Sequence, residues 1–148
     1  ISWFSGSFYK PRFSQLENLH EKILKVKLTA ATLGGTVFKR KSGAVTVTRE
    51  LASVEENYLV KNEKFIWDNR WLIKLKPGTQ GRLHVKPYGL IGLEDHNFFI
   101  TCQFDKSALA TIPTITKNGD IKFVPFSKLS FGVDVKLLKQ DTEFYKFF

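Results

Sequence analysis

Thr114-Ile115-Thr116-Lys117-Asn118-Gly119-Asp120-Ile121-Lys122-Phe123-Val124 reads as two strands joined by a two-residue turn. Asn-Gly suits a tight hairpin, because both central residues need positive φ and the twist of that turn matches the flanking strands. Working outward, the same alternation recurs. Residues 36–40 and 44–49 read as strands joined at Lys41-Ser42-Gly43, with Val45 and Val47 on one face and Thr46 and Thr48 on the other. Residues 65–67 and 70–75 pair across Asp68-Asn69, residue types that tolerate turn geometry. Residues 98–104 are apolar enough for a buried strand, and residues 132–139 read as the last strand. Asp105 caps a single helical turn that Pro113 stops. Residues 82–97, with Gly89 and Gly92, read as an irregular or short helical stretch.

Toward the N-terminus the period changes. Residues 1–13 are aromatic-rich and irregular. Ser14 and Glu17 have capping-box spacing, and Leu16, Leu19, His20, Ile23, Leu24 and Lys27 recur at helical intervals. This predicts an amphipathic helix over 14–27, with Lys22 and Lys25 on its exposed side, ending before Gly34-Gly35. The fold class is α+β: an N-terminal amphipathic helix and hairpin over 1–50, then a mostly β mixed-sheet domain over 64–148. Residues 51–63, with Glu55, Glu56 and Glu63, form an acidic linker between them, and 144–148 an aromatic tail.

The chain has 148 residues, 43% hydrophobic and 25% charged, which excludes a disordered chain and allows a real core. No apolar run approaches about 18 residues, so no membrane-spanning helix, and no membrane partner, is expected. The first residues lack signal-peptide features. A single cysteine, Cys102, cannot form an internal disulfide and points to a reducing, cytoplasmic setting. The chain has no methionine, so it reads as a piece of a longer or processed protein.

The formal charge is +9, and residues 1–50 carry nine basic against three acidic side chains. Such an excess favours polyanionic partners. No CxxC, HxH or HExxH spacing joins Cys102, His20, His84 and His96, so no metal site is expected. Cys102 in an apolar strand reads as structural. Glu94, Asp95 and His96 lack any spacing that fixes an acid–base geometry, and Gly34-Gly35 precedes a strand rather than opening a phosphate-binding helix. No catalytic residue is assigned. What remains is Lys39, Arg40 and Lys41, placed together at a hairpin tip, with Arg12, Lys22, Lys25, Lys27 and Arg49 in the same basic half. Arg70 and Arg82 complete the set expected at RNA phosphates. Trp67 and Trp71 either stack on bases or close a hairpin inside the core.

Several stretches resemble one family in order. Tyr9-Lys10-Pro11-Arg12 before a Leu-rich helix is similar to the start of the post-catalytic region of tRNA(Ile)-lysidine synthetase. Thr32-Leu33-Gly34-Gly35, Val47-Thr48-Arg49-Glu50 and Trp67-Asp68-Asn69-Arg70-Trp71 continue the likeness. So do Ala110-Thr111-Ile112-Pro113-Thr114-Ile115, Asn118-Gly119 and residues 121–125, so that it covers most of 9–125. From Phe126-Ser127-Lys128 onward the chain departs from the family's short apolar-Gly ending. The family's ATP-binding Ser-Gly-Gly-x-Asp-Ser loop does not occur in the chain.

The resemblance implies the C-terminal part of an ATP-dependent ligase that attaches lysine to the wobble cytidine of the CAU anticodon. ATP, with Mg²⁺, would belong to a catalytic domain outside this chain, and no cofactor is expected within it. The expected partners are tRNA, whose acceptor stem such modules contact while rejecting methionine tRNA, and the N-terminal catalytic domain of the same polypeptide; a homodimer is a candidate assembly. A competing expectation is a protein-interaction module built on Trp3, Phe4, Phe8, Phe144, Tyr145, Phe147 and Phe148. A third, an editing hydrolase, would need a pocket around Glu94, Asp95 and His96.

Overall fold

Paired left-handed residues fold the chain back on itself at four places among the described residues. One is Asp68-Asn69 (φ 50° and 52°), between Trp67 and Trp71, and the other three are two-residue turns. Gly34 and Gly35 have φ of 57° and 72°, Ser42 and Gly43 of 52° and 83°, and Asn118 and Gly119 of 53° and 91°. Each of these last pairs closes a two-residue hairpin, as the strand twist favours. The computed structural model describes residues 1–6, 10–25, 29–79, 81–91, 105–129 and 131–138, with the side chain of Lys41 excepted.

The first two turns generate an antiparallel meander of β1 (Ala30–Leu33), β2 (Thr36–Lys41) and β3 (Ala44–Arg49). Helix α2 (Phe13–Leu24) packs on β1, while the single-turn helices α1 (Ser2–Ser5) and α3 (Lys106–Leu109) both pack against β3. A second sheet has the order β10 (Val133–Leu137), β6 (Trp71–Leu75), β5 (Lys64–Trp67). A third joins β4 (Tyr58–Leu59), β7 (Leu83–Pro87), β8 (Pro113–Lys117) and β9 (Asp120–Phe123). All strand pairs among the described residues are antiparallel. The class is α+β, as expected.

Period-two alternation supplies the core. Phe65 and Trp67 on β5 and Trp71 and Ile73 on β6 turn inward, as do Leu83 and Val85 on β7. With Val54, Tyr88, Leu109, Ile112, Ile115 and Val124 they form one buried cluster drawn from the second and third sheets and the segments beside them. Tyr58 stacks on Phe65 at 5.0 Å, tying β4 to β5. Among the described residues no helix is long and apolar enough to cross a membrane.

Local signals placed most hairpins, and they erred where a strand depends on its neighbours. β1 is Ala-Ala-Thr-Leu, poor in strand formers and half exposed, and forms because β2 offers it an edge. The stretch 51–63, expected as a linker, carries the buried Val54 and the two-residue β4 paired to β7. Leu83-His84-Val85-Lys86-Pro87 alternates cleanly but ends in Pro, which the register sets opposite Pro113 at the strand end. Residues 1–13 contain a helical turn, α1. Helix α2 starts at Phe13 and ends at Leu24, before the extended Lys25, rather than spanning 14–27. Arg12 is extended, so the third helical residue is Gln15, and its Oε1 accepts the Arg12 N–H at 3.0 Å in place of a Ser14–Glu17 box. The expected strand over 98–104 and the tail 144–148 lie outside the described residues.

Gly35 does more than turn. A Cβ there would collide with Nη1 of Arg49, a guanidinium already tied down by hydrogen bonds, whereas a Cβ on Gly43 meets nothing. Gly43→Ala should cost about 1 kcal/mol for the left-handed backbone. Gly35→Ala should cost about 2–3 kcal/mol more as the guanidinium is displaced from buried partners. Urea denaturation of the two variants measures the difference.

Candidate nucleic-acid interface

The nine cations expected at RNA divide into three groups by what holds them. Arg12, Lys22 and Lys25 lie along α2, exposed. At 1.5 Å per residue, Arg12 and Lys22 are about 15 Å apart along the axis and Lys25 one turn further. Lys25 pairs with Glu21 at 3.2 Å across an exposed i,i+4 spacing, a contact worth little in water. Lys22 makes no ion pair among the described residues. It borders a groove of about 180 Å³ between α2 and β1, where Gln15, Asn18 and Thr32 add exposed amide and hydroxyl groups. A cation flanked by neutral donors and acceptors suits phosphate and ribose 2′-OH groups. Arg82 is also exposed, at the start of β7.

The hairpin tip behaves differently from expectation. Adjacent strand residues point to opposite faces, so Lys39 and Arg40 diverge. Lys39 Nζ donates to Ser107 Oγ on α3. Arg40 Nη1 donates to the Ile23 carbonyl at 2.8 Å, occupying a free acceptor in the last turn of α2. Lys41 ends β2. Asp105 receives the Ser107 N–H at 2.8 Å and caps α3, as expected. That bond, the Ser107 hydroxyl and the charge of Lys39 hold the Asp105 carboxyl below its usual range.

The third group faces inward. Arg49 grips Asp68 with two nitrogens, Nε to Oδ2 at 3.2 Å and Nη2 to Oδ1 at 2.9 Å. It also donates to the carbonyls of Gly35 at 2.9 Å and Ser53 at 2.6 Å. Arg70 Nε reaches Asp68 Oδ2 at 2.7 Å, and its Nη2 lies 2.6 Å from that oxygen and 3.2 Å from the Thr111 carbonyl. The side chains of Arg49, Asp68 and Arg70 are only 8%, 5% and 11% exposed. Burial pushes the Arg70 guanidinium below its ordinary value, with Asp68 offsetting part of the effect and Arg49 adding to it. These two arginines, expected at RNA phosphates, are spent joining β3, the β5–β6 turn, residue 53 and the segment after α3. Trp67 and Trp71 are buried opposite each other across the turn and present no stacking face.

Helix α2 buries only Leu19, leaving Phe13 at 75% and Leu24 at 65% exposure with Leu16 between. His20, expected near a packed face, is exposed beside them. Glu94, Asp95, His96 and Cys102 lie outside the described residues, and among those described no cluster of metal-ligating side chains forms. No protein-family model matches the chain, and searches of curated proteins and of solved structures return no match.

Removing the shared charge should loosen the whole junction. Asp68→Asn leaves two buried guanidiniums facing each other and should cost about 3–5 kcal/mol, read as a fall in urea midpoint. The α3 cap gives a smaller, pH-dependent effect. Because the folded Asp105 value is depressed, its stabilisation is present above the unfolded value near 3.9 and is lost as pH falls through the lower folded value. Asp105→Ala should therefore destabilise by about 1 kcal/mol at pH 7 and by much less at the acid end, in paired thermal melts.

Proposed function

We propose that this chain is the tRNA-binding C-terminal part of a tRNA(Ile)-lysidine synthetase and acts in the cytoplasm. In that role it helps the enzyme hold its isoleucine tRNA and reject the methionine one. ATP, with Mg²⁺, would be held by the catalytic domain, since the family's ATP-binding loop is absent from this sequence. One observation carries the reading. Four of the stretches that resemble the family, far apart in sequence, meet in a single hydrogen-bonded junction. Gly35 comes from the first, Arg49 from the second, Asp68 and Arg70 from the third, and Thr111 from the fourth. An accidental likeness has no reason to select residues that touch.

The tRNA-facing surface in this reading is α2 and its groove. Arg12, Lys22 and Lys25 contact phosphates, and Gln15, Asn18 and Thr32 accept or donate to ribose. Lys39, Arg82 and the tip residue Lys41 lie beyond it as secondary contacts. Arg40 serves α2 itself, and Arg49 and Arg70 are withdrawn from the tRNA surface because they are buried and paired.

A second reading has its own support. Phe13, Leu16 and Leu24 form an exposed apolar strip on α2, which suits docking on the catalytic domain of the same polypeptide.

Fluorescence anisotropy of labelled tRNA(Ile) bearing the CAU anticodon, titrated at several salt concentrations beside methionine tRNA, separates the readings. The wild-type chain should bind with a log–log salt slope of several units. The combined variant Arg12→Ala, Lys22→Ala, Lys25→Ala should reduce that slope by about 0.7–0.9 for each phosphate it no longer neutralises. Lys39→Ala with Lys41→Ala should change it less. An unchanged slope in the α2 variant overturns the assigned surface, and no binding at low salt moves the docking reading to first place.

A further inference from the structure

Beside the arginine junction lies a cavity of about 370 Å³, at the small end of those that take small molecules. Its walls come from six separate parts of the chain: α1, β3, the turn into β6, the segment from α3 to Ile112, Phe126, and the end of β10 with Leu138. Trp3, Phe4, Val47, Leu109, Ile112 and Phe126 make most of its surface apolar. Helix α1 is held over it by its C-terminal Gly6, which lies so close to the turn that a Cβ there would stand 2.6 Å from the Asp68 carbonyl oxygen.

The polar part of the wall is unusual in its charge. Arg49 and Arg70 both line the cavity, and one carboxylate, Asp68, serves the two of them. The group therefore retains a net positive charge at a site largely removed from water, where a further anion gains more than it would at the surface. All three nitrogens of Arg49 are engaged, by Asp68 and two carbonyls. In Arg70, Nε and Nη2 are engaged, and Nη1 makes no hydrogen bond or ion pair among the described residues. An apolar chamber with the Arg70 guanidinium in its wall selects a definite chemistry.

We propose that the cavity binds a small monocarboxylic acid with an apolar body, of medium-chain acyl size, its chain among Trp3, Phe4, Leu109, Ile112 and Phe126 and its carboxylate on Arg70 Nη1. The site is independent of the tRNA surface on α2 and stands whether or not that surface binds RNA.

Octanoate and octanol, equal in chain length and different in charge, test this on the full chain. Trp3 and Trp71 line the cavity, so intrinsic tryptophan fluorescence reports occupancy. Octanoate should give a saturable change at least tenfold tighter than octanol. Ala108→Phe, which places a ring in the cavity and leaves the arginines untouched, should abolish it. Leu137→Glu, at a rim position already 41% exposed and so compatible with folding, should weaken octanoate about tenfold while sparing octanol. Equal affinity for acid and alcohol, no saturable change with octanoate, or full octanoate binding in the Leu137→Glu chain would each overturn the proposal.

Discussion

Asp68 is the residue on which the arrangement of the chain depends, because a single carboxylate pairs with guanidiniums from two parts of the fold. Its position imposes two demands at once. The β5–β6 turn needs a left-handed residue there, with φ of 50°, which Asp and Asn tolerate better than other side chains. The junction needs a negative charge, which Asn lacks. Only aspartate meets both. Buried ions are costly to desolvate and are retained only where geometry and added hydrogen bonds repay the loss. Here the repayment comes from three backbone carbonyls, of Gly35, Ser53 and Thr111, so the ion triad also satisfies the backbone of three different connections.

That junction helps hold the first meander beside the other two sheets although the buried hydrophobic cluster includes no residue of the meander. β3 contributes little apolar area to the cluster; it is fastened through Arg49 and through its packing against α1 and α3. The result is a directional joint. Apolar faces slide and re-pack at modest cost, whereas a bidentate guanidinium–carboxylate pair fixes both distance and angle. The same joint leaves the cavity at its side, since groups arranged around a charged centre do not close-pack as aliphatic side chains do.

The legible parts of the fold were those encoded within a few residues. Asn118-Gly119, Ser42-Gly43, the Asp105 cap and the alternation of β5 and β6 each carry their structure in local chemistry, and each is placed by the sequence alone. β1 and β4 are not, because Ala30-Ala31 and Tyr58-Leu59 become strands only through partners elsewhere. The candidate site was legible only in part. Arg12, Lys22, Lys25 and Arg82 are exposed, as a charge-based reading requires. Arg49 and Arg70 look identical to them in a charge count, and nothing local names Asp68 as the partner of Arg49, 19 residues away. Period two does not mark Arg49 either, because burial rises along β3 from the exposed Val45 to the buried Thr48 and Arg49 instead of alternating. Period two does separate Lys39 from Arg40, and it outranks the clustering of their letters in the sequence.

The proposed likeness to the lysidine synthetases rests largely on residues that hold the scaffold: Gly35, Arg49, Asp68, Arg70 and Thr111 belong to the resembling stretches and build the junction. Arg12, Lys22 and Lys25, with Gln15, Asn18 and Thr32, make the proposed ligand surface; Arg12 and Thr32 lie in resembling stretches, and the rest lie on the helix, whose likeness is only that it is Leu-rich. Scaffold and surface are therefore under different constraints. A substitution in the junction acts through folding and moves every property together, while one on α2 leaves the fold intact and changes only what the groove can hold. Residues that answer to the same fold have little freedom to change; residues that answer to a ligand change when the ligand does. In the reading proposed for this chain, the exposed face of α2, rather than the arginines that first suggest a polyanion, is where specificity would be decided.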